Sequence, residues 1–219
     1  NRLREAGYDL RLIGQNFVNA IMKQIYIFGF FHSDPHPGNL SVLSGERVVF
    51  MDFGQVGRID EPTKQKAVNL VLAMVRYDVD AVMRGLLDIG VVQRKINWAH
   101  LRRDISRLQQ KYYGLPFSEI SVGEALRELV DISFRYKIRI PPEFALAIKC
   151  LVTSEGVLQQ LDPQISLLEL AEPFARRIVR QRMAPTEIKR TLVRSALEFS
   201  EFARRLPRQV ENILGLMEE

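Results

Sequence analysis

Four polar side chains suited to metal and proton chemistry fall within 21 residues: His32, Asp34, Asn39 and Asp52. They lie in the stretch HSDPHPGNLSVLSGERVVFMDFG, residues 32–54. A carboxylate and an amide oxygen suit a hard cation such as Mg²⁺, which prefers oxygen ligands and uses few protein groups. A second carboxylate nearby could accept a proton from, or orient, a hydroxyl or water. Asp52 and Asn39 are the candidate metal ligands and Asp34 the candidate acid–base group. Phosphoryl transfer makes these demands, because it needs positioning and charge neutralisation more than covalent chemistry.

The elements around them must supply the geometry. Two short apolar runs, Leu40–Leu43 and Val48–Met51, flank Ser44-Gly45-Glu46, a turn signal of the kind that closes a β-hairpin. Folding that hairpin about Gly45 places Asn39 opposite Met51 or Asp52, at the open end of the ribbon. His32 and Asp34 precede it in a loop stiffened by Pro35 and Pro37. His32 reads as an orienting residue that ties the loop to the backbone near Asp52, and Gly54 as the residue that lets the chain turn after the ligand. His36, between two prolines, could touch a phosphate or simply pack the loop. The plainer alternative for the whole stretch is a polar turn around a structural hairpin, with Asp34 and Asn39 capping local backbone.

Upstream, residues 8–31 carry apolar side chains at three- and four-residue spacing and read as one long helix ending near Gly29. Downstream the pattern is helical. Helix starts are expected at Asp60-Glu61-Pro62, Asp78, Asn97, the Ser121–Glu124 capping box, Pro141-Pro142, Asp162-Pro163 and Thr186. The fold class is therefore α+β with a large helical majority. A two-stranded ribbon is marginal alone, so it must lie on the helices.

Composition is that of an ordinary globular chain: 219 residues, 47% hydrophobic and 26% charged. One cysteine, Cys150, excludes an internal disulfide and a multi-cysteine zinc site, and reads as a small core residue. His100, beside Trp98, reads as a surface or packing residue. The net charge is +5, yet the window from Arg176 to Arg208 holds ten basic and three acidic residues. Residues 185–219 are thus expected to form a basic amphipathic helical extension. Ile188, Leu192, Leu197, Phe199 and Phe202 offer apolar anchors for an anionic membrane surface. Nucleic acid is not expected, since no aromatics interleave with the arginines for stacking. No apolar run approaches the roughly 20 residues that a spanning helix needs.

His32-Ser33-Asp34, Asn39 five residues after the Asp, and Asp52-Phe53-Gly54 beyond a hairpin follow the order of parts in protein-kinase-like catalytic loops. The forms HSDPHPGN (His32–Asn39) and DFGQVG (Asp52–Gly57) resemble the UbiB/ADCK family of atypical kinases. So does the helical segment IPPEFALAIKCLVTSEGVLQQLD (Ile140–Asp162) with its T-x-E-G signature. His36 stands where many kinases have Lys.

The resemblance implies a kinase-like C-terminal lobe over residues 1–184, with loop 32–39, hairpin 40–51 and DFG 52–54. It implies a catalytic Asp34, metal ligands Asn39 and Asp52, and the cofactors ATP and Mg²⁺. It implies a role in ubiquinone or other prenyl-quinone or isoprenoid lipid biosynthesis, with peripheral membrane association on the cytoplasmic side or its mitochondrial or plastid equivalent. A non-catalytic scaffold or lipid-presenting subunit is the competing reading. Kinase-like lobes commonly bury one ion pair, and Glu155 on its apolar stripe could pair with Arg58. The family's Lys-x-Gly-Gln helix, Ala-rich nucleotide loop, strand lysine and partner glutamate have no counterpart here, so the N-terminal lobe is expected to be absent.

The 219 residues by themselves are accordingly expected to show no ATPase activity. Mg²⁺-dependent turnover abolished by Asp52→Ala would overturn that. Converting Arg204, Arg205 and Arg208 to Glu should abolish co-sedimentation with anionic liposomes, and binding indifferent to anionic lipid would exclude the membrane role of the tail.

Overall fold

The computed structural model describes residues 2–182; the basic extension at 185–219 lies outside them. After a short helix α1 (Arg2–Glu5), α2 (Leu10–Met22) begins where the Asp9 carboxylate accepts from the Leu12 amide. The apolar spacing predicts one helix to residue 31, but the α-register stops at Met22 and a π-helical segment, Lys23–Phe28, replaces its last turns. Gly29 ends it with φ 65°, and a Cβ there would sit 2.5 Å from the Ile59 carbonyl oxygen. Both conditions demand glycine. The buried Lys64 Nζ donates to the Tyr26 carbonyl at 3.1 Å, giving one carbonyl of the π-segment a partner.

Three two-stranded antiparallel sheets follow. Strand β1 (Phe30–His32) pairs with β4 (Val56–Arg58), bringing His32 opposite Val56. Strands β2 (Leu40–Leu43) and β3 (Arg47–Phe50) form the hairpin, Leu40 opposite Phe50. Its turn carries Gly45 and Glu46 at φ 74° and 53°. The hairpin rests on α2: Phe17 and Phe50 stack at 5.9 Å, and the Asn16 amide donates to the Glu46 carbonyl at 2.9 Å. Strand β5 (Val91–Val92) pairs with β6 (Ile138–Arg139).

The remaining helices are α3 (Glu61–Val75), α4 (Val79–Ile89), α5 (Trp98–Tyr112), α6 (Val122–Arg135), α7 (Pro142–Leu161) and α8 (Leu167–Arg182). Asp60, Asp78, Asn97 and Ser121 each accept an amide hydrogen bond from the first turn of the helix they precede. The Ser121 motif departs from a reciprocal capping box, because the Glu124 carboxylate meets Lys111 Nζ at 2.6 Å. Asp162-Pro163 does not open a helix: Asp162 accepts from the Gln164 amide in a turn, and α8 starts at Leu167. Mostly helical with small antiparallel sheets, the fold is α+β.

Two apolar clusters hold it. One gathers Phe17, Val18 and Ile21 of α2, Phe31 of β1, and Cys150 and Leu158 of α7, and the site described below sits on it. The other joins α4, α5 and α6 through Val82, Leu101, Ile105 and Ile132. Residues 1–172 form one compact unit, and a second begins at Pro173.

The pairing of Glu155 with Arg58 does not form. Arg58 lies over the Phe30 ring at 5.7 Å. Glu155, 7% exposed, instead caps α6, accepting from the Val122 and Gly123 amides at 2.8 Å each and from the Ser121 hydroxyl at 2.9 Å. The carboxylate faces unpaired amide donors at the positive end of a helix, which stabilise a negative charge without a partner cation. Gly123 leaves room for it, since a Cβ there would sit 2.6 Å from Glu155 Oε2. Glu155→Ala strands those buried amides. The chain should lose about 3 kcal/mol of stability, read as a lowered urea midpoint, with Glu155→Gln in between.

Candidate functional site

His32 is fully buried and bonded at both ring nitrogens. Its Nδ1 accepts from the Asp34 amide at 3.1 Å. An amide can only donate, so Nδ1 is unprotonated and Nε2 carries the hydrogen that meets the Met51 carbonyl at 3.0 Å. One imidazole thus joins the loop to the residue just before Asp52. The His32 amide donates to Gln24 Oε1 at 2.9 Å, anchoring the strand end to the π-helical segment. The Phe53 ring lies 5.2 Å from the imidazole.

The loop closes on itself. The His36 amide donates to the Asp34 carbonyl and the Asn39 amide to the His36 carbonyl, each at 2.8 Å. His36 is exposed, and its Nδ1 accepts from the Gly38 amide at 3.1 Å, which caps the 3₁₀ turn Pro37–Asn39. The Asn39 side-chain nitrogen donates to the Asp34 carbonyl at 3.3 Å, so the amide oxygen is its remaining polar atom. The Met51 amide donates to the Asn39 carbonyl at 2.8 Å, extending the β2–β3 ladder one residue. Asn39 therefore stands opposite Met51, and Asp52 follows at the same end of the ribbon.

The sharp backbone falls on Asp52 rather than on Gly54. Asp52 has φ 52°, a left-handed conformation that costs most residues roughly 1–2 kcal/mol and that Asp and Asn tolerate best. Its Oδ1 accepts from the Gly54 amide at 3.1 Å, and a Cβ on Gly54 would crowd that oxygen at 3.0 Å. Glycine at 54 preserves this bond. Met51, Asp52, Phe53 and Gly54 are all exposed.

Lys149 completes the arrangement, and its side chain escaped the sequence reading. From α7 its Nζ reaches Asp34 Oδ2 at 3.0 Å and Gln55 Oε1 at 2.6 Å, across 115 and 94 residues. No local pattern marks it, because one lysine beside an apolar helix stripe reads as a solvated side chain. The β1–β4 pairing explains the meeting: the Ser33 amide donates to the Gln55 carbonyl at 3.2 Å, which aligns residues 34 and 55 beside α7. Of the other singled-out residues, His100 is exposed, its amide donating to Asn97, and Cys150 is buried, its thiol pushed up to about 12 by desolvation. That thiol is packing, not a nucleophile.

Among the described residues no group of three His, Cys, Asp or Glu could hold a metal, and no helix is long and apolar enough to cross a membrane. Asn39 and Asp52 each offer a side-chain oxygen, the donor type a hard cation prefers when it keeps its other positions for water and phosphate.

Two family models match this chain. The ABC1 atypical kinase-like domain covers residues 1–86, and the UbiB helical domain covers residues 105–166. An uncharacterised protein of Synechocystis sp. is 29% identical over 99% of this chain and 38% of its own length. An uncharacterised Clostridium pasteurianum protein from the hydrogenase 1 5′ region is 30% identical over 80% of this chain and 33% of its own length. A second Synechocystis protein, also uncharacterised, is 35% identical over 63% of this chain and 34% of its own. The chain spans about a third of the length of these relatives.

Proposed function

We propose, for a chain that belongs to the UbiB/ADCK family of atypical kinases, that residues 32–54 are the catalytic loop and metal-binding segment of an Mg²⁺- and ATP-dependent kinase or ATPase. The observation that carries this is the double tether of His32. It ties the Asp34 backbone to Met51, the residue that pairs with Asn39 and precedes Asp52, so one buried ring links the segments that carry all three.

The chain's own groups divide the work. Asn39, through its amide oxygen, and Asp52, through the carboxylate beside the Gly54 amide, would hold the cation. The cation supplies neutralisation of phosphate charge when it is bound. Asp34 orients the acceptor hydroxyl or water and takes its proton. His32 transfers no proton in the reaction, since both ring nitrogens are committed to backbone. Its task is to keep Asp34 in place. His36, exposed at the loop tip, presents its remaining ring nitrogen toward solvent-borne phosphate. The kinase-like C-terminal lobe is the reading of the fold that matches these roles.

Support of prenyl-quinone or isoprenoid lipid biosynthesis, and peripheral attachment to a membrane through the basic extension, are the cellular role we propose for the complete protein. They rest on the family resemblance of HSDPHPGN and DFGQVG.

The test is Mg-ATP binding by the complete protein, followed as a rise in melting temperature. Asp52→Asn keeps a residue that tolerates φ 52° and an oxygen for the Gly54 amide, so the ligand-free melting temperature should stay unchanged. The Mg-ATP increment should disappear. An increment of equal size in the variant, or none in the wild type, would point to a non-catalytic scaffold.

A further inference from the structure

Loop 32–39 carries His32, Ser33, Asp34, His36 and Asn39 and no lysine or arginine. A site built from Asp34 and Asp52 alone would repel a polyphosphate until metal arrives. The nearby arginines of the strands are committed elsewhere: Arg47 donates to the Ser44 carbonyl, and Arg58 lies over Phe30. Lys64 serves the Tyr26 carbonyl and Glu61. Among the described residues the ion pair of Asp34 is with Lys149.

Three observations argue that this pair is more than a surface ion pair. First, both partners are partly exposed, 44% and 33% by side chain, and pairs that open to water add little to stability, so the lysine is not needed there to hold the fold. Second, the lysine projects from a rigid base. Its neighbour Cys150 is fully buried, Ser154 donates to the Cys150 carbonyl at 2.7 Å, and Glu155 locks α7 to the start of α6. Third, an ammonium has three donors, and Asp34 and Gln55 account for two.

We propose that Lys149 is the phosphate-contacting cation of this site, delivered by helix α7 to the terminal phosphate of a nucleoside triphosphate beside Asp34. This rests on the reading of residues 32–54 as an Mg-ATP site. Gln55 holds the ammonium at the loop, and the pair with Asp34 keeps it at the carboxylate between ligands. The third N–H meets the terminal phosphate. Lys149 then selects the triphosphate over the diphosphate, because only the triphosphate extends to it.

Titration of the complete protein with Mg-ATP and Mg-ADP separates the possibilities. Lys149→Met keeps the aliphatic stem and removes the charge. It should weaken Mg-ATP about tenfold, the loss of one charge-assisted hydrogen bond, and leave Mg-ADP unaltered within about twofold. Lys149→Arg should restore part of the ATP preference. The proposal is overturned if Lys149→Met binds both nucleotides as the wild type does, or binds Mg-ATP more tightly. It is also overturned if both affinities fall together with the melting temperature, which is the signature of a structural role. A wild-type protein that binds neither nucleotide instead defeats the functional reading of residues 32–54 itself, and this inference with it. The melting temperature of the ligand-free variant reports that the fold is intact.

Discussion

The buried imidazole of His32 is the constraint through which the chemistry-bearing residues acquire fixed positions. A loop rich in proline and glycine can take many shapes, and a two-stranded hairpin is marginal alone. One ring, dry and bonded at both nitrogens, removes that freedom by joining the Asp34 amide to the Met51 carbonyl. The cost of burying it is offset because neither nitrogen is left without a partner. Around it, Phe50 and Phe53 wall off the ring, and Gln24 from the π-helical segment secures the strand end. The broken register of α2 is thus part of the same device: it turns the chain early enough to make β1 and places Gln24 where the His32 amide needs an acceptor.

Helix α7 acts as the second organiser. Within seven residues it presents Lys149 to the loop and Glu155 to the start of α6, while Cys150, Ser154 and Leu158 are buried beside them. Lys149 and Glu155 do different physical work. The Glu155 carboxylate, nearly dry, is satisfied by two amides and a hydroxyl and stabilises a helix end. The Lys149 ammonium, half in water, contributes little to stability and much to the local charge. The fold therefore couples the geometry of residues 32–55 to a helix that begins almost a hundred residues later.

The local chemistry was legible in the residues themselves. The turn about Gly45, the position of Asn39 opposite Met51 or Asp52, and the helix starts at Asp60, Asp78, Asn97 and Ser121 follow from backbone rules that act over three or four residues. Those rules could be read because their causes, a left-handed turn position or a side-chain oxygen facing free amides, are short-range.

Tertiary structure decided the rest. The end of the π-helical segment at Gly29 packs against the Ile59 carbonyl, thirty residues away. The left-handed residue is Asp52 rather than Gly54, and the Asp52 side-chain Oδ1 accepts from the Gly54 amide. Glu155 shares the apolar environment expected of an ion-pair partner, yet meets helix amides instead of Arg58. Composition cannot tell these apart, since a buried carboxylate requires donors and is indifferent to whether they are charged. Lys149 is the clearest case: its meaning comes from contacts across 94 and 115 residues, and separations of that length leave no trace in periodicity or spacing.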